Sequence, residues 1–236
     1  MPFATMFCDR HFFSHSPSDT KPEPIGNGAS PPSDRRSAQK GKQLMKVGVL
    51  ALQGAFREHI RMLQSLGVDA VEVRLPGEID EVDGLIIPGG ESTTMRKLMA
   101  DYRFVDTVKE FAAAGKPIFG TCAGLIVMAD RVNGRGQNLL NLIDLDVERN
   151  AYGRQLESRE VDIPCEALGD EPFHAVFIRA PRIRGSGPEV EKLALYQGEV
   201  VLARQNNILV ATFHPELTGD ARVHKLFLQM LARRAR

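Results

Sequence analysis

The chain has 236 residues, 30 basic against 30 acidic side chains, 43% apolar content and no Trp. That length suits one globular α/β domain with a sizeable core, and zero net charge counts against nucleic acid as a main partner, though not against a local basic patch. No apolar run approaches the ~20 residues of a membrane-spanning helix. Three widely spaced cysteines, Cys8, Cys122 and Cys165, form neither a disulfide framework nor a C-x-x-C pair, so a reducing, cytoplasmic setting is expected.

Residues 1–44 read unlike the rest. Ser14-His15-Ser16-Pro17-Ser18-Asp19, Lys21-Pro22-Glu23-Pro24 and Ser30-Pro31-Pro32-Ser33-Asp34-Arg35-Arg36 carry little apolar periodicity. Such a segment buries too little surface to offset its ordering entropy and is expected to be a disordered extension. It lacks the apolar core of a secretory signal, and Asp9, Asp19, Glu23 and Asp34 count against a transit peptide. Met45 opens the first strand so abruptly that an upstream misassigned start is the expected origin of the extension; an intact mass that includes Met1 would exclude this.

Residues 45–236 read as one domain. Lys46 to Leu52 is a continuous apolar run, as in a buried parallel strand. A helix follows with Phe56, Ile60, Leu63 and Leu66 on one stripe and Gly67 as its stop. Ala70–Arg74 and Gly84–Pro88 read as the second and third strands, and helices run from Ser92 to about Ala114, stopped by Gly115. Strands alternating with helices imply a parallel sheet with right-handed crossovers, whose ligands bind beyond the carboxyl ends of the strands.

The fourth strand leads into Gly120-Thr121-Cys122-Ala123-Gly124, with an apolar helical pattern after it. This has the form of a nucleophile elbow, in which glycines let strand and helix approach closely. Cys122 at the helix start would be favoured as thiolate, and the Ala123 N–H would face an oxyanion beside the sulfur. Read alone, Cys122 is as easily a buried structural cysteine.

Between about residues 139 and 204 the pattern alternates as in half-exposed strands, at Leu142–Arg149, Glu157–Ile163 and Phe173–Pro181. Val200–Arg204 and Ile208–Ala211 flank a hairpin turn at Gln205-Asn206-Asn207. After the last strand comes Phe213-His214-Pro215-Glu216, a base with a carboxylate two residues on. Either residue alone would more often be structural; Cys, His and Glu at predicted strand ends make coincidence improbable. A final helix carries Val223, Leu226, Phe227, Met230 and Leu231 on one stripe. There is no internal repeat and no metal-ligand cluster.

Gly89-Gly90-Glu91-Ser92 reads in two ways. It is a strand-to-helix turn with Ser92 as the expected N-cap; its glycines also allow the Gly90 N–H to complete an oxyanion hole. No Gly-Lys-Ser/Thr follows, so it is not a phosphate loop. Arg149 and Arg179 fall at predicted strand ends, where either could grip a substrate carboxylate.

Pro88-Gly89-Gly90-Glu91-Ser92, Gly120-Thr121-Cys122-Ala123-Gly124 and Phe213-His214-Pro215-Glu216 resemble the class I (triad) glutamine amidotransferases. Leu50-Ala51-Leu52-Gln53-Gly54, Glu148-Arg149-Asn150-Ala151-Tyr152-Gly153-Arg154-Gln155 and Phe177-Ile178-Arg179-Ala180-Pro181 narrow this resemblance to the glutaminase subunits of pyridoxal 5′-phosphate synthases. It runs from Met45 to the C-terminus; residues 1–44 have no counterpart in the pattern.

The resemblance implies an α/β three-layer sandwich with a mostly parallel central sheet, flavodoxin-like in form. It implies hydrolysis of L-glutamine to glutamate and ammonia, without cofactor or metal. Cys122 is then nucleophile, His214 general base and acid, and Glu216 its orienter. Gly90 and Ala123 supply oxyanion N–H groups, and Gly90-Glu91-Ser92, Arg149, Ile178 and Arg179 hold glutamine. The implied partner is the synthase subunit, a (β/α)₈ barrel that receives the ammonia in a large hetero-oligomer and completes the oxyanion loop. Neither nucleic acid nor membrane is an implied partner. Competing readings are a triad amidotransferase subunit serving another acceptor, a silent regulatory subunit of the same fold, and a thiol peptidase or α/β-hydrolase.

Overall fold

Four short strands open the main sheet, three of them apolar runs buried over nearly their whole length and one, at the sheet's edge, half exposed. In the computed structural model, which describes residues 45–136, 138–149 and 158–234, these are β1 (Lys46–Leu50), β2 (Asp69–Val73), β3 (Gly84–Ile87) and β4 (Ile118–Thr121). The expectations for residues 1–44 and for the 150–155 part of the Glu148–Gln155 block lie outside the described residues. β3 and β4 are buried along their whole length, as continuous Ile/Leu/Phe runs demand.

The middle section adds β5 (Ala129–Val132), β6 (Ile143–Glu148), β7 (Ser158–Ile163), β8 (Phe173–Ile178), β9 (Arg182–Ser186), β10 (Glu191–Tyr196), β11 (Glu199–Gln205) and β12 (Ile208–Ala211). The main sheet has seven strands in the order β10-β11-β12-β4-β3-β1-β2. Its five strands from β12 to β2 pair in parallel, while β10-β11 and β11-β12 are antiparallel. The run β2-β1-β3-β4-β12 has the order of the flavodoxin-like doubly wound sheet. Separate small sheets join β5-β6-β9 and β7-β8. The hairpin turn falls at Asn206-Asn207, with Asn206 at φ 52°.

Helices cover both faces. α1 (Phe56–Ser65) and α5 (Arg222–Arg234) pack with Val47, Val49, Ile86, Phe119 and Leu209 on one side. α2 (Ser92–Asp101), α3 (Phe104–Ala113) and α4 (Ala123–Met128) pack with Leu50, Leu85, Ile87, Ile118 and Val210 on the other. The odd and even residues of each strand divide between the two cores, which makes three layers. Full burial of a side chain such as Ile86 or Phe119 contributes ~1.5–3 kcal/mol.

Several local expectations are corrected. The N-cap of α2 is Glu91, not Ser92: the Glu91 carboxylate accepts from Thr93 N at 2.9 Å and Thr94 N at 2.6 Å, and Ser92 is the first helical residue. α4 has six residues, because β5 begins directly after Met128. β1 ends at Leu50 rather than Leu52, since the chain turns there into the Gln53-Gly54 loop. Strands β5, β9 and β10 carry no pattern that set them apart in the sequence.

Candidate active site

The elbow is built by close approach. Cys122 adopts φ 46° and ψ −100°, a conformation that non-glycine residues rarely enter and that marks a strained, functionally placed residue. A Cβ on Gly124 would lie 2.0 Å from the Ile87 carbonyl oxygen, so only glycine lets α4 start against β3. Cys122 donates its backbone N–H to Ala211 O at 2.9 Å, which ties the elbow to β12. Ala123 is the first residue of α4, and its N–H has no acceptor within the helix.

His214 follows β12 and is held by a backbone hydrogen bond from its N–H to Val176 O in β8, at 2.8 Å. Its Nδ1 lies 2.7 Å from Glu216 Oε1, on a 3₁₀ turn (Pro215–Leu217). Burial by itself lowers the His214 pKa, but hydrogen bonds with Cys122 and Glu216, and their charges, outweigh it and hold the imidazole well above its ordinary value. Burial raises the Glu216 pKa; His59 and His214 more than reverse this, and the carboxylate titrates below its usual range. The Glu216 side chain is fully inaccessible, whereas the His214 side chain retains 9% exposure, and both Cys122 and His214 line the cavity.

The glycine loop passes directly over this pair. A Cβ on Gly89 would lie 2.3 Å from His214 Cε1 and 3.3 Å from Cys122 Cβ, so a side chain there would occupy the imidazole's place. The Gly89 carbonyl accepts from Ala55 N at 3.0 Å, beyond the end of β1. β1 and β4 flank β3 on opposite sides, and a trans peptide points its N–H opposite to its C=O. The Gly90 N–H is therefore directed toward the β4 side, where Cys122 sits. Gln53 clamps the backbone of Glu91 on both sides: its Oε1 accepts from Glu91 N and its Nε2 donates to Glu91 O, each at 3.2 Å.

Gly90, Glu91, Ser92, Cys122, Arg149, Ile178, Arg179 and His214 all line one cavity of about 280 Å³, with Ile126 as a further wall. Arg149, at the end of β6, donates to Thr93 Oγ1 at 3.0 Å and lies 3.7 Å from Glu91 Oε1. The Glu91 carboxylate faces the cavity but is engaged as the cap of α2; those backbone and Thr94 hydrogen bonds depress its pKa to about 2. Arg179 has φ 44°, a left-handed turn directly after β8. The Ile178 carbonyl oxygen lies 3.9 Å from the Cys122 sulfur, a weak acceptor for the thiol. Glu216 and Ala123 are behind the lining: Glu216 backs His214, and Ala123 is fully buried at the elbow.

Three residues escaped the sequence reading. Ile126 stands four residues after Cys122, on the same face of α4, and that spacing was a usable signal. Gln53 lay in a quoted motif without a role. His59 had no signal beyond its place on the α1 stripe, and it proves fully buried, with Nε2 3.4 Å from Glu216 Oε2. Among the described residues, no cluster of His, Cys, Asp and Glu could hold a metal ion, and no helix is long and apolar enough to cross a membrane.

The chain is similar to known proteins over about four-fifths of its length. Residues 49–233 match the SNO glutamine amidotransferase family. The chain is 51% identical over 187 residues to the pyridoxal 5′-phosphate synthase subunit PdxT of Moorella thermoacetica, covering 79% of this chain and all of that protein. It is 53% identical to the subunit of the same name from Niallia circulans, over 79% of this chain and 98% of that one. A crystal structure of a glutamine amidotransferase superposes with TM-score 0.75 at 47% identity, over 79% of this chain and 98% of the other. PurLQS from Thermotoga maritima, at 17% identity and TM-score 0.63 over 82% of this chain and all of the matched one, shares the fold. The chain belongs to the SNO glutamine amidotransferase family.

Proposed function

We propose that this chain is the glutaminase subunit of a pyridoxal 5′-phosphate synthase, hydrolysing L-glutamine to L-glutamate and ammonia for a synthase partner. The observation that carries the reading is the meeting of Cys122, His214 and the Gly90-Glu91-Ser92 loop in one small cavity, with Glu216 behind His214 at 2.7 Å.

The reaction follows from these positions. The Cys122 sulfur adds to the side-chain amide carbon of glutamine, and the oxyanion is stabilised by the N–H groups of Gly90 and Ala123. The C–N bond breaks as the His214 imidazolium gives its proton to the departing ammonia, leaving a γ-glutamyl thioester. His214 then takes a proton from water, which attacks the thioester; the C–S bond breaks and glutamate leaves. Glu216 holds His214 in the tautomer that faces Cys122. Arg149 and Arg179 supply cations for the substrate carboxylate, while Glu91 sets the start of α2 beside it.

The ammonia passes to the synthase subunit within a hetero-oligomer. The free thiols Cys122 and Cys165 support a reducing, cytoplasmic setting. Glutamate release from L-glutamine, measured with and without the synthase subunit, tests the proposal. Strong stimulation by the partner is expected. High activity that ignores the partner would break the assignment to this complex, and no activity in either case would favour the silent-subunit reading.

A further inference from the structure

Behind the proposed triad lies a set of buried polar groups that the reaction scheme leaves unused. Glu216 Oε1 is occupied by His214, but Oε2 is buried without a hydrogen-bond partner, and His59 Nε2 is 3.4 Å away. His59 comes from α1, and the same Nε2 lies 3.3 Å from Oγ1 of Thr121, the residue before Cys122. Its Nδ1 lies 2.9 Å from Nε2 of His224 on α5. Phe119 presents its ring edge-to-face against both imidazoles, which closes the site to water. Both histidines are fully inaccessible.

The proton positions in this array follow from elimination. Both imidazoles are neutral, because burial pushes their pKa values down, that of His224 to about 3. The 2.9 Å nitrogen–nitrogen contact needs one proton between the rings. Were His59 the donor, its Nε2 lone pair would face the Glu216 carboxylate, and the His224 Nδ1–H would be a buried donor with no acceptor. Lone pair against anion is repulsive in a dry interior, and orphaned buried N–H groups are rare. With His224 as donor from Nε2, the His59 proton sits on its own Nε2 and faces Thr121 Oγ1 and Glu216 Oε2. What stays unpartnered is then only a lone pair on His224.

We propose that His59 is a positioning residue of the catalytic array: a neutral, Nε2-protonated imidazole, oriented by His224, that turns its N–H dipole to the rear oxygen of Glu216 and keeps that carboxylate ionised and aimed at His214. This rests on the glutaminase reading given above. The titratable groups facing His59 are Glu216 and His214 from the turn after β12, His224 from α5 and Glu58 from its own helix. Among the described residues, the basic groups within 4 Å of the Glu216 carboxylate are His59 and His214. Without the His59 dipole, burial of Glu216 is opposed only by His214 and a backbone hydrogen bond, and the carboxylate takes up a proton at higher pH. A protonated Glu216 no longer stabilises the imidazolium, so activity is lost from the acid side first.

The test uses the full chain assembled with the synthase subunit, comparing wild type with His59→Leu and His59→Gln. The glutamine side chain reproduces both roles, an acceptor toward His224 and a donor toward Glu216. In His59→Leu the acidic limb of the kcat/KM profile is expected to move up by about one pH unit, so that kcat/KM at pH values on the acid side of the limb falls roughly tenfold, with KM at neutral pH unchanged; His59→Gln should restore the wild-type limb. A folded, active His59→Leu enzyme with an unmoved limb overturns the proposal and leaves the glutaminase reading intact. Wild type without glutaminase activity removes both. Should the leucine variant fail to fold, long-range ¹H–¹⁵N spectra of the wild-type chain decide the matter. Neutral Nε2–H tautomers of His59 and His224 are expected between pH 6 and 8 (roughly the neutral range of a buried imidazole), and an Nδ1–H or cationic His59 overturns the proposal.

Discussion

The two oxygens of Glu216 look onto two different environments. Oε1 faces His214, and beyond that ring lie Cys122 and a cavity where the Arg149 side chain keeps 31% exposure and Glu91 52%. Oε2 faces His59 with His224 behind it, and neither has any. On the cavity side, charge is sustained by water and by opposite charge, so arginines and an imidazolium stand close together. On the core side, desolvation has forced two histidines into the neutral state, and they act as dipoles. The site is thus charged where substrate enters and neutral where it is anchored.

The strongest test of this division is on the cavity side. Cys122→Ala removes the nucleophile, and glutamine turnover should fall by at least ~10³-fold, while circular dichroism and synthase binding stay unchanged. Normal turnover by that variant would end the proposed mechanism. Glu216→Gln acts at the junction of the two sides. It keeps the shape but removes the charge that both histidines face, and kcat should fall ~10²–10⁴-fold, less than for Cys122→Ala. Full activity would mean that His214 needs no carboxylate.

Gly89→Ala probes the cavity roof. Its Cβ would stand 2.3 Å from His214 Cε1, so the imidazole must shift. A kcat loss on the order of 10²-fold is expected, with destabilisation of ~1–3 kcal/mol seen in thermal melts. An unchanged enzyme would show that the loop moves freely above His214. Arg149→Ala, farther out, should raise KM for glutamine by roughly 10-fold or more with little change in kcat, as for a lost charged hydrogen bond in ground-state binding. A pure kcat effect would instead assign Arg149 to the transition state.

The last test belongs to the core side and is read from stability, unit by unit of pH. The folded-state pKa of His224 is depressed from 6.5 to about 3, so only the unfolded chain binds that proton in between. Stability is therefore complete above pH 6.5 and falls as pH drops from there toward 3, with a slope on the order of 1 kcal/mol per pH unit from this group. Denaturant titrations of wild type and His224→Leu should diverge in that window, the variant losing less stability on acidification. Parallel curves would mean that His224 is protonated in the folded state.

The parts of the site that the sequence displayed are contiguous ones. Gly120 to Gly124, Gly89 to Ser92 and Phe213 to Glu216 each lie at the end of an apolar strand. In a parallel sheet, strand ends share one edge, so the blocks could be placed together without coordinates. Finer assignments failed where two neighbours compete for one role. Ser92 is the better cap by general preference, but the Glu91 carboxylate, which reaches two N–H groups and the Thr94 hydroxyl at once, took the position. The β5-β6-β9 sheet was hidden because its strands pair across long connections and one of them starts directly from a helix.

The sequence by itself determined the strand–helix alternation, the parallel α/β class and the identity of the residues that meet at the strand ends. Periodicity and turn chemistry act within one element and are written in adjacent residues. Tertiary structure alone decided the orientation of the Gly89–Gly90 peptide, the Gln53 clamp and the fate of the second carboxylate oxygen of Glu216. His59 and His224 are separated by 165 residues and meet because α1 and α5 cover the same face of the sheet. No local pattern records that meeting: a histidine on an apolar stripe reads the same whether it faces a leucine or the carboxylate behind a catalytic base, and only the packing of two distant helices distinguishes them.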